Sequence, residues 1–178
     1  MALTPLDTQL SSRVSISKYR ELKQARSKDE IIRFIRERFT ERYIAPLEGK
    51  NGQNTTKHGF CTMAICCLMI EALESFWSGW PNTRYKSKCA FRSFFNRNDI
   101  RFNDFRDCAD EFYTHVRCGI LHQAETTGGW HIRRKGDLFT PSTKTINATK
   151  FHKRLKESLE AYCSELNEAE WDDDIWEN

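Results

Sequence analysis

The chain has 178 residues, of which 39% are hydrophobic, 12% aromatic and 30% charged. That length suits one domain, and the apolar and aromatic share supports a packed core, which excludes a wholly disordered chain. Lys and Arg number 28 against 25 Asp and Glu, a formal net charge of +3 that by itself points to no class of partner.

The first residues, Met1 to Ser12, lack the basic-then-apolar order of a secretory signal. The longest nearly unbroken apolar run, Phe60 to Ile70, is too short for a membrane span of about 20 residues. A soluble, cytoplasmic protein with no membrane partner is expected. Seven cysteines, an odd number, lie mostly within apolar helical patterns and form no C-x-x-C pair. They fit small hydrophobes in a reducing compartment better than a disulfide framework or a zinc site.

In chain order, residues 1–27 read as an N-terminal extension with a short helix near Ile16–Gln24. Ile31, Ile32, Ile35 and Phe39 recur at helical spacing and predict a helix opening at Asp29 and closed by Pro46 and Gly49. GKNGQNTTKHG, from Gly49 to Gly59, is a loop by composition. A second long helix is predicted from Phe60 to Trp77; its first half is apolar all round, as in a central buried helix. A shorter one follows over Ser87–Asn96, with Phe91, Phe94 and Phe95 read as core. The cleanest stripe in the chain, Phe102, Phe105, Ala109, Phe112, Val116 and Ile120, predicts one helix from Arg101 to Leu121. After Gly128-Gly129, Trp130–Arg134 and Leu138–Thr140 read as a small β-hairpin across Lys135-Gly136-Asp137. Asn147 is placed to cap a last helix running to Leu166, and 167–178 form an acidic tail. The predicted fold is all-α: an up-and-down bundle of four long helices and a short one, with the helical domain at 28–166.

Functional side chains concentrate in FYTHVRCGILHQAETTGGW, Phe112 to Trp130. On a regular helix with Val116 at zero, Arg117 lies at about +100° and His122 at about −120°. The two flank the apolar stripe without sharing a face. A two-fold pair of chains would bring Arg117 of one toward His122 of the other, with Gly119 allowing the helices to approach. The plain alternatives are structural. Arg117 pairs with Asp110 or Glu125, His122 bonds free carbonyls at a helix end, and His115 pairs with Glu111. Trp130 belongs to the core, and Arg92, Arg97, Arg101 and Arg106 form a solvated face.

Arg117-Cys118-Gly119-Ile120-Leu121-His122 has the R-x4-H form found in HEPN domains (higher eukaryotes and prokaryotes nucleotide-binding). Together with VRCGILHQAETTGGW and the later TKTINATKF, it resembles a bacterial and plasmid-borne branch of that superfamily, over residues 28 to 166. The resemblance implies a helical bundle that dimerises so that paired motifs form one cleft. It also implies a metal-independent endoribonuclease without cofactor, in a toxin–antitoxin or phage-defence setting, with an antitoxin or regulatory protein as partner. Carried over, Arg117 and His122 are the catalytic pair, with Tyr113, His115, Cys118, Gln123 and Glu125 as supporting candidates. Two positions depart from the family pattern: the arginine is followed by Cys118 rather than a polar Asn, Asp or His, and Ala124 stands where the tyrosine-modified branch has Tyr. The first departure motivates an alternative, a non-catalytic module that binds RNA or a nucleotide or dimerises for regulation.

Charge patterning adds one expectation. Residues 165–178 hold seven acidic residues and no Lys or Arg, so residues 1–164 carry +10. A basic body suits an RNA-facing protein, and the tail is expected to dock on a basic cleft or a partner.

Overall fold

A computed structural model describes residues 5–6, 8–49 and 58–177. It is predominantly helical, with one small three-stranded sheet. Most of the predicted Gly49–Gly59 loop lies outside the described residues.

The N-terminal helix α1 (Ile16–Gln24) is capped by the Ser15 side chain and packs on α2 (Lys28–Phe39). A π turn (Thr40–Ile44) and a 3-10 turn carrying Pro46 then end the α2 segment. Helix α3 (Gly59–Trp77) lies against α4 (Ser87–Arg97) and α8 (Ala148–Glu168). By length and composition α3 is apolar enough to cross a membrane, so the eleven-residue run understates it. In this fold it is a core helix: Met63, Cys66, Cys67, Met69, Ile70 and Leu73 are buried. The two acids on α3, Glu71 and Glu74, are buried as well, each against an arginine.

The predicted Arg101–Leu121 helix is broken. Helix α5 (Asp99–Arg106) contains a non-helical Phe102 (φ −135°), and Asp107-Cys108 leaves the helical path before α6 (Ala109–Glu111). A π turn (Phe112–Arg117) then leads into α7 (Cys118–Gln123). The stripe itself is right, since Phe102, Phe105, Ala109, Phe112, Val116 and Ile120 are all buried. Periodicity records which side chains face the core. It does not record a kink or an inserted residue that keeps them facing it.

That stripe feeds a phenylalanine cluster. Phe91, Phe94, Phe95, Phe102, Phe105, Phe112 and Phe151 are fully buried, with ring pairs such as Phe95–Phe112 edge-on at 5.2 Å and Phe112–Phe151 stacked at 5.5 Å. Each such ring contributes about 1.5–3 kcal/mol by burial. Phe139 stacks on Phe105 at 4.8 Å and on Trp130 at 5.2 Å, which ties the sheet to the core.

The predicted β-hairpin does not form. β1 (His131–Arg133) and β2 (Phe139–Thr140) both pair with β3 (Thr145–Asn147), parallel and antiparallel respectively, in the order β1-β3-β2. At three residues, Thr145–Asn147 carries no alternation that marks a strand in sequence. Asn147 is the hinge: its Oδ1 accepts the N–H groups of Thr149 and Lys150 at 3.1 Å, the predicted cap, while its Nδ2 donates to Gly136 O at 2.9 Å.

The acidic tail folds back onto the body. Trp176 of α9 (Asp174–Glu177) stacks on Trp171 at 4.9 Å and donates its Nε1 hydrogen to Leu166 O at 3.0 Å. Lys28 donates to Asn167 O, and Arg26 pairs with Asp172. The tail therefore docks on the α1–α2 junction and the end of α8.

Candidate active site

Arg117 and His122 meet within one chain. Arg117 Nη1 lies 3.5 Å from His122 Nε2, which corrects the expectation that a single helix keeps them on separate faces. Angles around a helix axis separate side chains only when these are short. Arginine's long stem spans the arc between two such positions, and the helix continues through Gly119 to Gln123, so His122 stays in reach. The wider π turn directly before α7 ends at Arg117, a feature common at functional sites.

Arg117 is held from beneath by Glu71, a residue of α3 outside the R-x4-H segment. Its Nε donates to Glu71 Oε1 at 2.8 Å, and its guanidinium lies 5.6 Å from the centre of the Tyr113 ring. Both partners of this ion pair are mostly shielded from water, with side-chain exposures of 16% and 11%. Burial works against the arginine's charge, and Glu71 outweighs it. The pair is costly to break, because either charge left alone stays desolvated. Asp110 and Glu125, the acids expected for Arg117, do not hold it: Asp110 binds Arg92 and Lys88 instead. The signal for Glu71 was present in the sequence, as one of only two charges on an otherwise apolar α3.

His122 is exposed, one residue from the end of α7, with one edge against the arginine. Tyr113 is half-buried beside Cys118; burial first, then the neighbouring thiol, pushes its pKa up, so it remains a phenol at neutral pH. Beneath them, burial pushes the Cys67 thiol well up and keeps it neutral.

His115 does not join this cluster and does not pair with Glu111. Its Nδ1 meets Thr127 Oγ1 at 2.8 Å, its carbonyl accepts the Thr127 N–H at 3.0 Å, and Glu111 takes Lys144 at 2.8 Å. Gly128 (φ +60°) lies so close to the His115 ring that a Cβ there would stand 2.6 Å from it. His115 thus fastens the 124–129 loop. Gly119 lies against the same loop: a Cβ on it would stand 2.5 Å from Glu125 O. Gln123 and Glu125 are exposed, and neither side chain bonds to Arg117 or His122 among the described residues. Of the basic face, Arg97 is engaged by the buried Glu74 and lies over Trp77, and Arg92 is paired, so these two are structural. Trp130 is core, as expected.

No family model, no curated protein and no solved structure matches this chain.

The chemistry open to the cluster follows from its groups. Arginine stays charged and presents forked donors that fit phosphate oxygens. Histidine exchanges a proton near neutral pH. A cation fixed by a buried carboxylate beside an exposed imidazole suits a phosphodiester, with charge building on the phosphoryl oxygens and a proton moving at a neighbouring hydroxyl.

Proposed function

We propose that this chain is a HEPN-type endoribonuclease, acting without metal through Arg117 and His122. The observation that carries the reading is the 3.5 Å approach of Arg117 to His122 with Glu71 holding the guanidinium from beneath. On this reading the long helices form the up-and-down bundle of that superfamily, and RNA is the substrate. His122 takes the proton of a ribose 2′-hydroxyl as its oxygen attacks the adjacent phosphorus. The P–O5′ bond breaks and the 5′-oxygen receives a proton, giving a 2′,3′-cyclic phosphate and a 5′-hydroxyl. Arg117 stabilises the charge on the non-bridging oxygens.

The acid for the leaving oxygen comes from a second copy in a homodimer, through that copy's histidine. A patch beside the site supports this: Leu121, next to His122, is 36% exposed, and Phe60, Ala64 and Leu68 step by four along α3, which α7 contacts. A toxin or defence effector of this kind is held in check by an antitoxin or regulatory protein. Cys118 after Arg117 favours the second reading, a non-catalytic module that binds RNA.

Labelled RNA incubated with the protein in EDTA tests the proposal. Wild type is expected to yield cyclic-phosphate ends, with Arg117→Ala and His122→Ala inactive. RNA equally intact with wild type and both variants removes the nuclease reading, and binding without cleavage selects the module.

A further inference from the structure

The turn between α3 and α4, Trp80 to Lys86, alternates aromatic rings with cations. Tyr85 is 91% exposed, and its backbone is left-handed at φ +63°. A bulky residue is strained there, and a ring so exposed gains almost nothing from burial in return. Fold stability therefore does not account for Tyr85. Arg84 lies 5.0 Å from the ring centre and donates to the phenol oxygen at 3.0 Å. Lys86 lies 4.9 Å from the centre of the Trp80 ring. Neither cation pairs with a carboxylate among the described residues.

The turn is fastened to the candidate site. Thr83 Oγ1 donates to Glu71 Oε2 at 3.2 Å, and the other oxygen of the same carboxylate holds Arg117. Asn82 Oδ1 accepts the Arg84 N–H at 2.9 Å, and Thr83 O accepts the Lys86 N–H at 2.8 Å, so the turn has a defined shape. One buried carboxylate thus sets the position of both the arginine and the aromatic turn.

We propose that Trp80–Lys86 is a subsite for single-stranded RNA. Tyr85 stacks on an unpaired base, and Arg84 and Lys86 hold phosphates flanking it, on the strand whose scissile phosphate sits at Arg117 and His122. The inference rests on the ribonuclease reading and adds to it the form of substrate. Every base offers a π-face, so stacking selects unpaired strand over duplex without selecting sequence. In an A-form duplex the bases are stacked on one another and closed to the ring.

The test is fluorescence anisotropy with a labelled 12-nucleotide oligouridine and a 12-base-pair RNA duplex. The protein carries His122→Ala to stop turnover. Tyr85→Ala is expected to weaken single-strand binding by about 5- to 150-fold, the worth of one stacked base, with duplex binding unchanged and Tyr85→Phe close to the parent. Arg84→Ala and Lys86→Ala are each expected to lower the slope of log affinity against log salt by about 0.7. Tyr85→Gly supplies the control for folding: it relieves the backbone, so Tm rises while the same affinity is lost. Equal single-strand affinity for Tyr85→Ala and parent overturns the subsite, and so does a fall in Tm for Tyr85→Gly with affinity kept. If wild type still cleaves RNA in either case, the nuclease reading survives the loss of the subsite. If the parent binds neither RNA, the subsite falls, and the cleavage assay in EDTA decides the nuclease reading separately.

Discussion

Two buried ionisable residues show how much one side chain decides. Glu71 binds Arg117 through one oxygen and Thr83 through the other. Glu71→Gln keeps the shape and removes the charge, leaving a desolvated guanidinium without its anion. The expected result is a loss of about 1–3 kcal/mol in stability and about 10²-fold in cleavage, with RNA binding falling much less. Urea denaturation beside single-turnover cleavage checks this; cleavage at the wild-type rate would show that Arg117 needs no anchor. His152 on α8 is buried, and its Nε2 has no hydrogen-bond partner among the described residues. Burial lowers its pKa; Glu48 pulls the other way and Lys156 adds to the lowering. The folded chain therefore keeps this imidazole neutral where the unfolded chain, with a histidine pKa of about 6.5, takes up a proton. Stability should hold above about pH 6.5 and fall as pH drops below it. Thermal melts from pH 8 to 5 should show that slope in wild type and a shallower one in His152→Leu; equal slopes would assign the acid sensitivity to other groups.

At the scale of elements, α7 ends on a residue poorly suited to its place. Ala124 adopts φ +56° and donates its N–H to Ile120 O at 3.2 Å, a position where glycine avoids the Cβ penalty. Ala124→Gly should raise stability by about 1 kcal/mol without changing the site. Gly119→Ala should do the opposite. Its methyl group meets the backbone of Glu125, which no side-chain rotation relieves, at a cost of about 1–3 kcal/mol. Calorimetric melts of the two variants check both signs. The same segment shows what a linear reading retains. The apolar stripe from Phe102 to Ile120 and the Asn147 cap could be read directly, because each depends on spacing along the chain, whereas spacing alone set Arg117 and His122 apart. The break at Asp107-Cys108, the pairing of β1 with β3 and the Glu71–Arg117 contact could not. These are set by what packs alongside, and Glu71 and Arg117 are brought together only when α3 is laid against the π turn.

For the whole molecule the question is where the +10 of residues 1–164 acts. The tail does not spend its charge at Arg117. Trp176 and Ile175 line one side of an apolar cavity of about 290 Å³ with residues of α1, α2 and α3, and Asp172 takes Arg26 at 3.1 Å. Docking is thus mainly aromatic, and most of the acidic groups remain exposed as a field rather than as a plug. Such a field acts over about 10 Å at 0.1 M salt and fades as salt rises. Glu168→Gln, Asp174→Asn and Glu177→Gln together remove three exposed negative charges while keeping Trp176 and Asp172 in place. RNA affinity of the triple variant should rise several-fold at about 50 mM salt and match wild type near 0.3 M, with cleavage at saturating RNA unchanged. A tail lying over the site would give a different pattern, an increase in cleavage rate that salt does not erase. Equal affinity at low salt would mean that the tail's charge is neutralised where it docks and that the basic body meets RNA unopposed.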